Sequence, residues 1–64
     1  MGYTTEIPSY CEVYLPGYAK PSVIIHDVYS VHESEDFLTV YTHEKSLTKV
    51  TVSNWSFYNV MEYD

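Results

Sequence analysis

Three histidines, one cysteine and nine carboxylates are the residues of this 64-residue chain that could do chemistry. His26 and His43 are the pair whose spacing matters. If residues 22–32 and 37–43 are antiparallel strands, the two imidazoles oppose each other on one sheet face, with Cβ atoms roughly 4.5–5.5 Å apart. So placed they could share a zinc ion, with Asp27 or Glu44 as third ligand. His32 lies about 20 Å further along the strand and cannot join them. Exposed histidines on a polar sheet face are the commoner arrangement, so neither a metal nor any other cofactor is expected. His26 and His43 stay as the only metal candidates.

Cys11 beside Glu12 has the letters of a thiol nucleophile and its base. A nucleophile also needs an orienting third group and a cleft that excludes water. A domain of this size has no room for such a cleft, and a lone cysteine is commonly a small buried hydrophobe. The chain reads as a non-enzyme. Phosphate binding fails because there are only two glycines, and neither opens a helix.

Nine acidic residues against three lysines give a net charge of -6. That field repels phosphates, so direct nucleic-acid binding is not expected. Full imitation of DNA is not expected of a monomer, because a duplex about 28 Å long would carry about 16 charges, well beyond this surplus, although a dimer could align two acidic clusters. With 45% hydrophobic and 17% aromatic residues, the chain is equally unlike a disordered acidic tail.

The aromatic surplus is the most informative feature. A domain this small cannot bury all eleven rings. Tyr and Trp at a surface give large contact area with few rotors, which suits a protein interface. The expected anchors are Tyr29, Phe37, Tyr41, Trp55 and Tyr58. Glu33, Glu35 and Asp36, clustered in one turn, would steer a basic partner and raise its on-rate.

These side chains need strands to hold them. Residues 1–9 read as an irregular arm, and 10–64 as a single small domain. Tyr10 to Leu15 is a short strand ended by Pro16-Gly17, a turn pair in which Pro fixes φ and Gly permits φ > 0. Residues 22–32, 37–43 and 47–52 follow as β-branched, largely alternating strands separated by Glu33–Asp36 and Glu44–Ser46. Trp55 to Tyr63 is a last aromatic strand, although Trp55, Tyr58 and Met61 also share a helical spacing.

The turns set a register. A four-residue loop at 33–36 pairs His32 with Phe37, Val31 with Leu38 and Tyr29 with Val40. A three-residue loop at 44–46 pairs Val40 with Val50 and Leu38 with Val52. One face then holds Val23, Ile25, Tyr29, Val31, Leu38, Val40, Val50 and Val52, and a one-residue slip would ruin that stripe. Asp27 would point into it, so a bulge at His26-Asp27 is expected to turn it out.

This five-stranded antiparallel meander resembles, in architecture, a small SH3-like or Sm-like barrel. The ALYDY signature of SH3 domains and the basic RNA-contacting positions of Sm-type proteins are missing, so no family residue is carried over. The expected fold is all-β, a curled five-stranded barrel.

The expected function is a small acidic protein-binding module. By analogy it suits an inhibitor or accessory factor of the phage or mobile-element type, acting on a nucleic-acid-handling protein through a basic or mixed surface. One alternative is a structural homo-oligomer joined through strand edges, and self-association is expected in either case. The other is a histidine-based metal sensor. A single thiol, no leader-like pattern in the first ten residues and no long apolar run point to the cytoplasm and away from membranes.

Overall fold

Alternating β-branched and aromatic residues dictate strands, and the strands bury one side of a single sheet. The computed structural model describes residues 2–63. Its five antiparallel strands are β1 (Gly2–Tyr14), β2 (Val23–Glu33), β3 (Phe37–Thr42), β4 (Lys49–Ser53) and β5 (Phe57–Glu62), in the order β4-β3-β2-β1-β5. A 3-10 turn, Glu44–Ser46, joins β3 to β4. The all-β class and the five strands are as expected, and the arguable last segment is a strand.

Three expectations about the extent and order of the strands and the closure of the sheet change. Residues 2–9 are the first part of β1, where Gly2, Tyr3 and Thr4 pair with His32, Val31 and Ser30. Their irregular look comes from the next segment: between Thr4 and Ser9, β1 advances five residues while β2 advances two. Pro8, which cannot donate to a ladder, falls in that excursion. Met1 and Asp64, the outer ends of the two expected segments, lie outside the described residues.

Second, β5 does not stay beside β4. It crosses to β1, pairing from Tyr14↔Phe57 to Ser9↔Glu62, after the Ser56 amide donates to the Tyr14 carbonyl at 2.7 Å. This leaves β1 flanked on both sides, so Cys11 and Val13 are fully buried, and lets Tyr58 and Val60 pack on the core. Third, the sheet is not closed into a barrel: β4 and β5 are its two edges. It is nevertheless strongly bent, because a straight 13-residue strand would run about 40 Å and the longest dimension of the molecule is 29 Å.

The β3–β4 register is as expected, with Leu38↔Val52 and Val40↔Val50. From Ser30 to Glu33 the β2–β3 register is offset by two residues, with Val31↔Val40 and His32↔Thr39, beyond a shift between Val28 and Ser30. A two-residue offset preserves the faces, so Ile25, Val31, Leu38, Val40 and Val52 are buried, and Val23 and Val50 pack against them. Tyr29 leaves the stripe and Val28 enters it, at 36% and 2% exposure.

The bulge explains that exchange. From Ser9 to Cys11 β1 advances two residues, while β2 takes three from Val28 to Ile25. Asp27 adopts the left-handed region at φ 56°, which costs an L-residue about 1–2 kcal/mol. Buried Thr42 holds it there. Its hydroxyl donates to the His26 carbonyl, with the Asp27 carbonyl 3.2 Å away, and accepts the Glu44 amide at 3.0 Å. The His43 amide donates to the Asp27 carbonyl, and the His26 amide to Glu44 Oε2, both at 3.0 Å.

Thr42→Val should therefore lower unfolding free energy by about 1–3 kcal/mol, the usual cost of stranding buried polar groups. Asp27→Gly should leave stability equal or higher, and Asp27→Val should lower it. Urea denaturation of the three variants checks this, and a stabilised Asp27→Val would show that β2 does not bend there.

Candidate protein-binding face

Crossing β5 to β1 brings two outward rows together. On β1 these are Tyr10, Glu12 and Tyr14, the residues alternating with buried Ser9, Cys11 and Val13. On β5 they are Phe57, Asn59, Met61 and, just beyond the strand, Tyr63. Ile24 and His26 of β2 complete the surface on the other side of β1.

Two banks of rings form on it. Tyr14 and Phe57 stack with centroids 4.2 Å apart and planes 9° from parallel. Four residues along β1, Tyr10 lies 5.3 Å from the Tyr63 ring and 6.0 Å from the His26 ring. His26 Nδ1 and the Tyr63 hydroxyl are 2.7 Å apart. Ile24, Phe57, Met61 and Tyr63 are 50%, 48%, 42% and 44% exposed. Between the banks sits half-buried Glu12, paired across to Ile24 and Asn59.

The eight residues expected to bind a partner are distributed over several places. Tyr29 and Tyr41 lie on the outer side of β2 and β3, centroids 6.2 Å apart, and Tyr29 stacks on His43 at 4.4 Å. Tyr29 and His43 also border a groove formed with Thr5–Pro8 and Asp27. Phe37 is exposed at the start of β3, opposite Ser53. Trp55 and Tyr58 meet edge to face at 5.7 Å and pack against the core, half-buried. Glu35 and Asp36 border an open recess of about 390 Å³ with Asn54 and Trp55, where the Asn54 amide approaches the Asp36 carbonyl. Glu33, at the end of β2, helps raise the Tyr58 phenol pKa, after burial itself.

The two metal candidates belong to different ring clusters, His26 with Tyr10 and Tyr63, His43 with Tyr29. Among the described residues no group of three or more His, Cys, Asp or Glu is arranged to hold a metal ion. The residues missed by sequence reasoning are Tyr10, Tyr14, Phe57, Met61 and Tyr63. Their period-two spacing was visible, and the pairing of β5 with β1 was not. Comparison with known proteins adds no family: no family model, curated protein or solved structure matches the chain.

Directly beneath this face, Cys11 is fully buried. Burial, with the Glu12 charge beside it, pushes its thiol from the ordinary 9.0 up to about 11. A raised thiol pKa means the folded state prefers the protonated form. Its stabilising contribution is complete below about pH 9 and is lost as pH rises through about 11. Tyr58, also raised, acts in the same direction. The melting temperature should fall across that window, and fall less in Cys11→Ala. An equal fall in both proteins would remove Cys11 from the explanation.

Proposed function

We propose that the protein is a small, acidic, non-enzymatic protein-binding module that docks through the outer face of β5, β1 and β2. The observation that carries this reading is the pair of ring banks on that face, flanked by exposed Ile24 and Met61. Contiguous apolar surface of this kind marks interaction sites, and stacked rings are rigid anchors that lose little entropy on binding. The buried, high-pKa thiol is the reverse of an activated nucleophile, which supports a binding role over catalysis. An unpaired buried thiol also suits a reducing compartment such as the cytoplasm.

The net charge of -6 favours a partner with a basic or mixed surface. By analogy alone, that fits an inhibitor or accessory factor of the phage or mobile-element type, acting on a nucleic-acid-handling protein. Glu33, Glu35 and Asp36, at the β2–β3 turn, would steer approach from outside the anchors.

A second reading, self-association, is favoured by the two open edges at β4 and β5. Exposed edges invite strand pairing. Sedimentation equilibrium at micromolar concentration should then give a mass above 7.5 kDa; 7.5 kDa throughout removes that reading.

For docking, the partner is captured from host extract with wild-type protein and its kinetics measured with variants. Phe57→Ala and Tyr14→Ala should each raise the off-rate tenfold or more, about 1.4 kcal/mol or above. Tyr41→Ala should have a smaller effect. Neutral amides at Glu33, Glu35 and Asp36 should slow association, most at low salt. Unchanged dissociation for Phe57→Ala and Tyr14→Ala would overturn the assignment of the face.

A further inference from the structure

We infer that Glu12 is the seat for an arginine side chain of the partner; this rests on the docking reading and adds its chemistry. β1, β2 and β5 contain no lysine or arginine, yet carry Glu6, Glu12, Asp27, Glu33 and Glu62. The chain's three lysines lie in the β1–β2 connection (Lys20), the 3-10 turn (Lys45) and β4 (Lys49). The face therefore offers apolar area and negative charge with no internal cation on its strands to neutralise it.

Glu12 is the carboxylate at its centre. Buried Cys11 and Val13 on either side fix its outward direction. Its outward neighbours on the same strand are Tyr10 and Tyr14, each about 6–7 Å away at the usual strand rise. Across the ladder it faces Ile24 on one side and Asn59 on the other. A cation arriving at this carboxylate is thus bordered by aromatic rings fore and aft, by an aliphatic side chain and by an amide.

Guanidinium fits that frame better than ammonium. It is planar, can take both carboxylate oxygens as a fork, and stacks on a ring while paired. Ring faces attract a cation within about 6 Å of the centroid, and partial loss of solvent strengthens the attraction. The Tyr14–Phe57 stack and the Tyr63–His26 contact hold both banks in place before binding. A second copy of this chain is a poor occupant, because it has no arginine and brings its own charge of -6.

The test is an amide NMR titration of the full chain with a capped Val-Arg-Val-Arg-Val peptide, its lysine counterpart and its uncharged citrulline counterpart. The arginine peptide should shift signals of residues 10–14 and 57–61. Glu12→Gln, or citrulline in place of arginine, should weaken binding tenfold or more, and lysine should weaken it several-fold; the dispersed spectrum shows that each variant is folded. If Phe57→Ala weakens the peptide and Glu12→Gln does not, the arginine seat is wrong and the docking face stands. If shifts centre on residues 33–36, or the strip stays silent with every peptide, the seat is overturned together with the face as a cationic-partner surface.

Discussion

One buried hydroxyl holds the bend on which the architecture depends. Thr42, with no exposed surface, lies within reach of the His26 and Asp27 carbonyls at the point where β2 takes an extra residue. Without that residue, strict alternation from Ile25 would send Asp27 into the core and Val28 out of it. With it Val28 faces inward, and a second shift between Val28 and Ser30, where β2 advances two residues against one of β3, returns Val31 to the core beside Ile25; His26 faces out toward Tyr10 and Tyr63. A carboxylate in the core would cost several kcal/mol. The left-handed backbone at Asp27 is the smaller penalty, and the Thr42, His43 and Glu44 hydrogen bonds offset it.

The bend and the return of β5 to β1 together divide the molecule into unlike surfaces. The inner side is aliphatic, with Trp55 and Tyr58 packed against it. The outer side of β5, β1 and β2 is aromatic with a central carboxylate, whereas the outer side of β3 and β4 alternates Thr39, Tyr41, Lys49 and Thr51. Large apolar rings on a 64-residue chain therefore do not spread evenly. They concentrate on the wet face of β1 and of its two neighbours, β5 and β2. That asymmetry, and not the total number of rings, is what favours a defined docking surface over mere solubilisation.

Much of this was legible in the sequence. Period-two alternation at 37–43 and 47–52 identified β3 and β4, and the short 44–46 turn set their register. Asp27 announced the bulge because it was the one charge on an otherwise apolar stripe. The β2–β3 offset was not legible, since a turn through 34–37 tied by Ser34 to the Phe37 carbonyl pairs as naturally as the equally long loop at 33–36. Nor was the pairing of β5 with β1, a contact between chain ends about 50 residues apart that no local pattern encodes. Tyr29 and the Tyr10–Tyr14 row were misplaced for these reasons: the first hangs on a bulge, the second on a non-local neighbour.

Protection of side chains on partner binding is the most direct test of the central claim. Hydroxyl-radical footprinting of the captured complex reads Tyr10, Tyr14, Phe57, Met61 and Tyr63 on one face and Phe37 and Tyr41 on the other, in one experiment. The account predicts strong protection of the first group, Met61 oxidation above all, with the second group unchanged. Protection of Phe37 and Tyr41 with Phe57 and Met61 still oxidised at the free rate would contradict it.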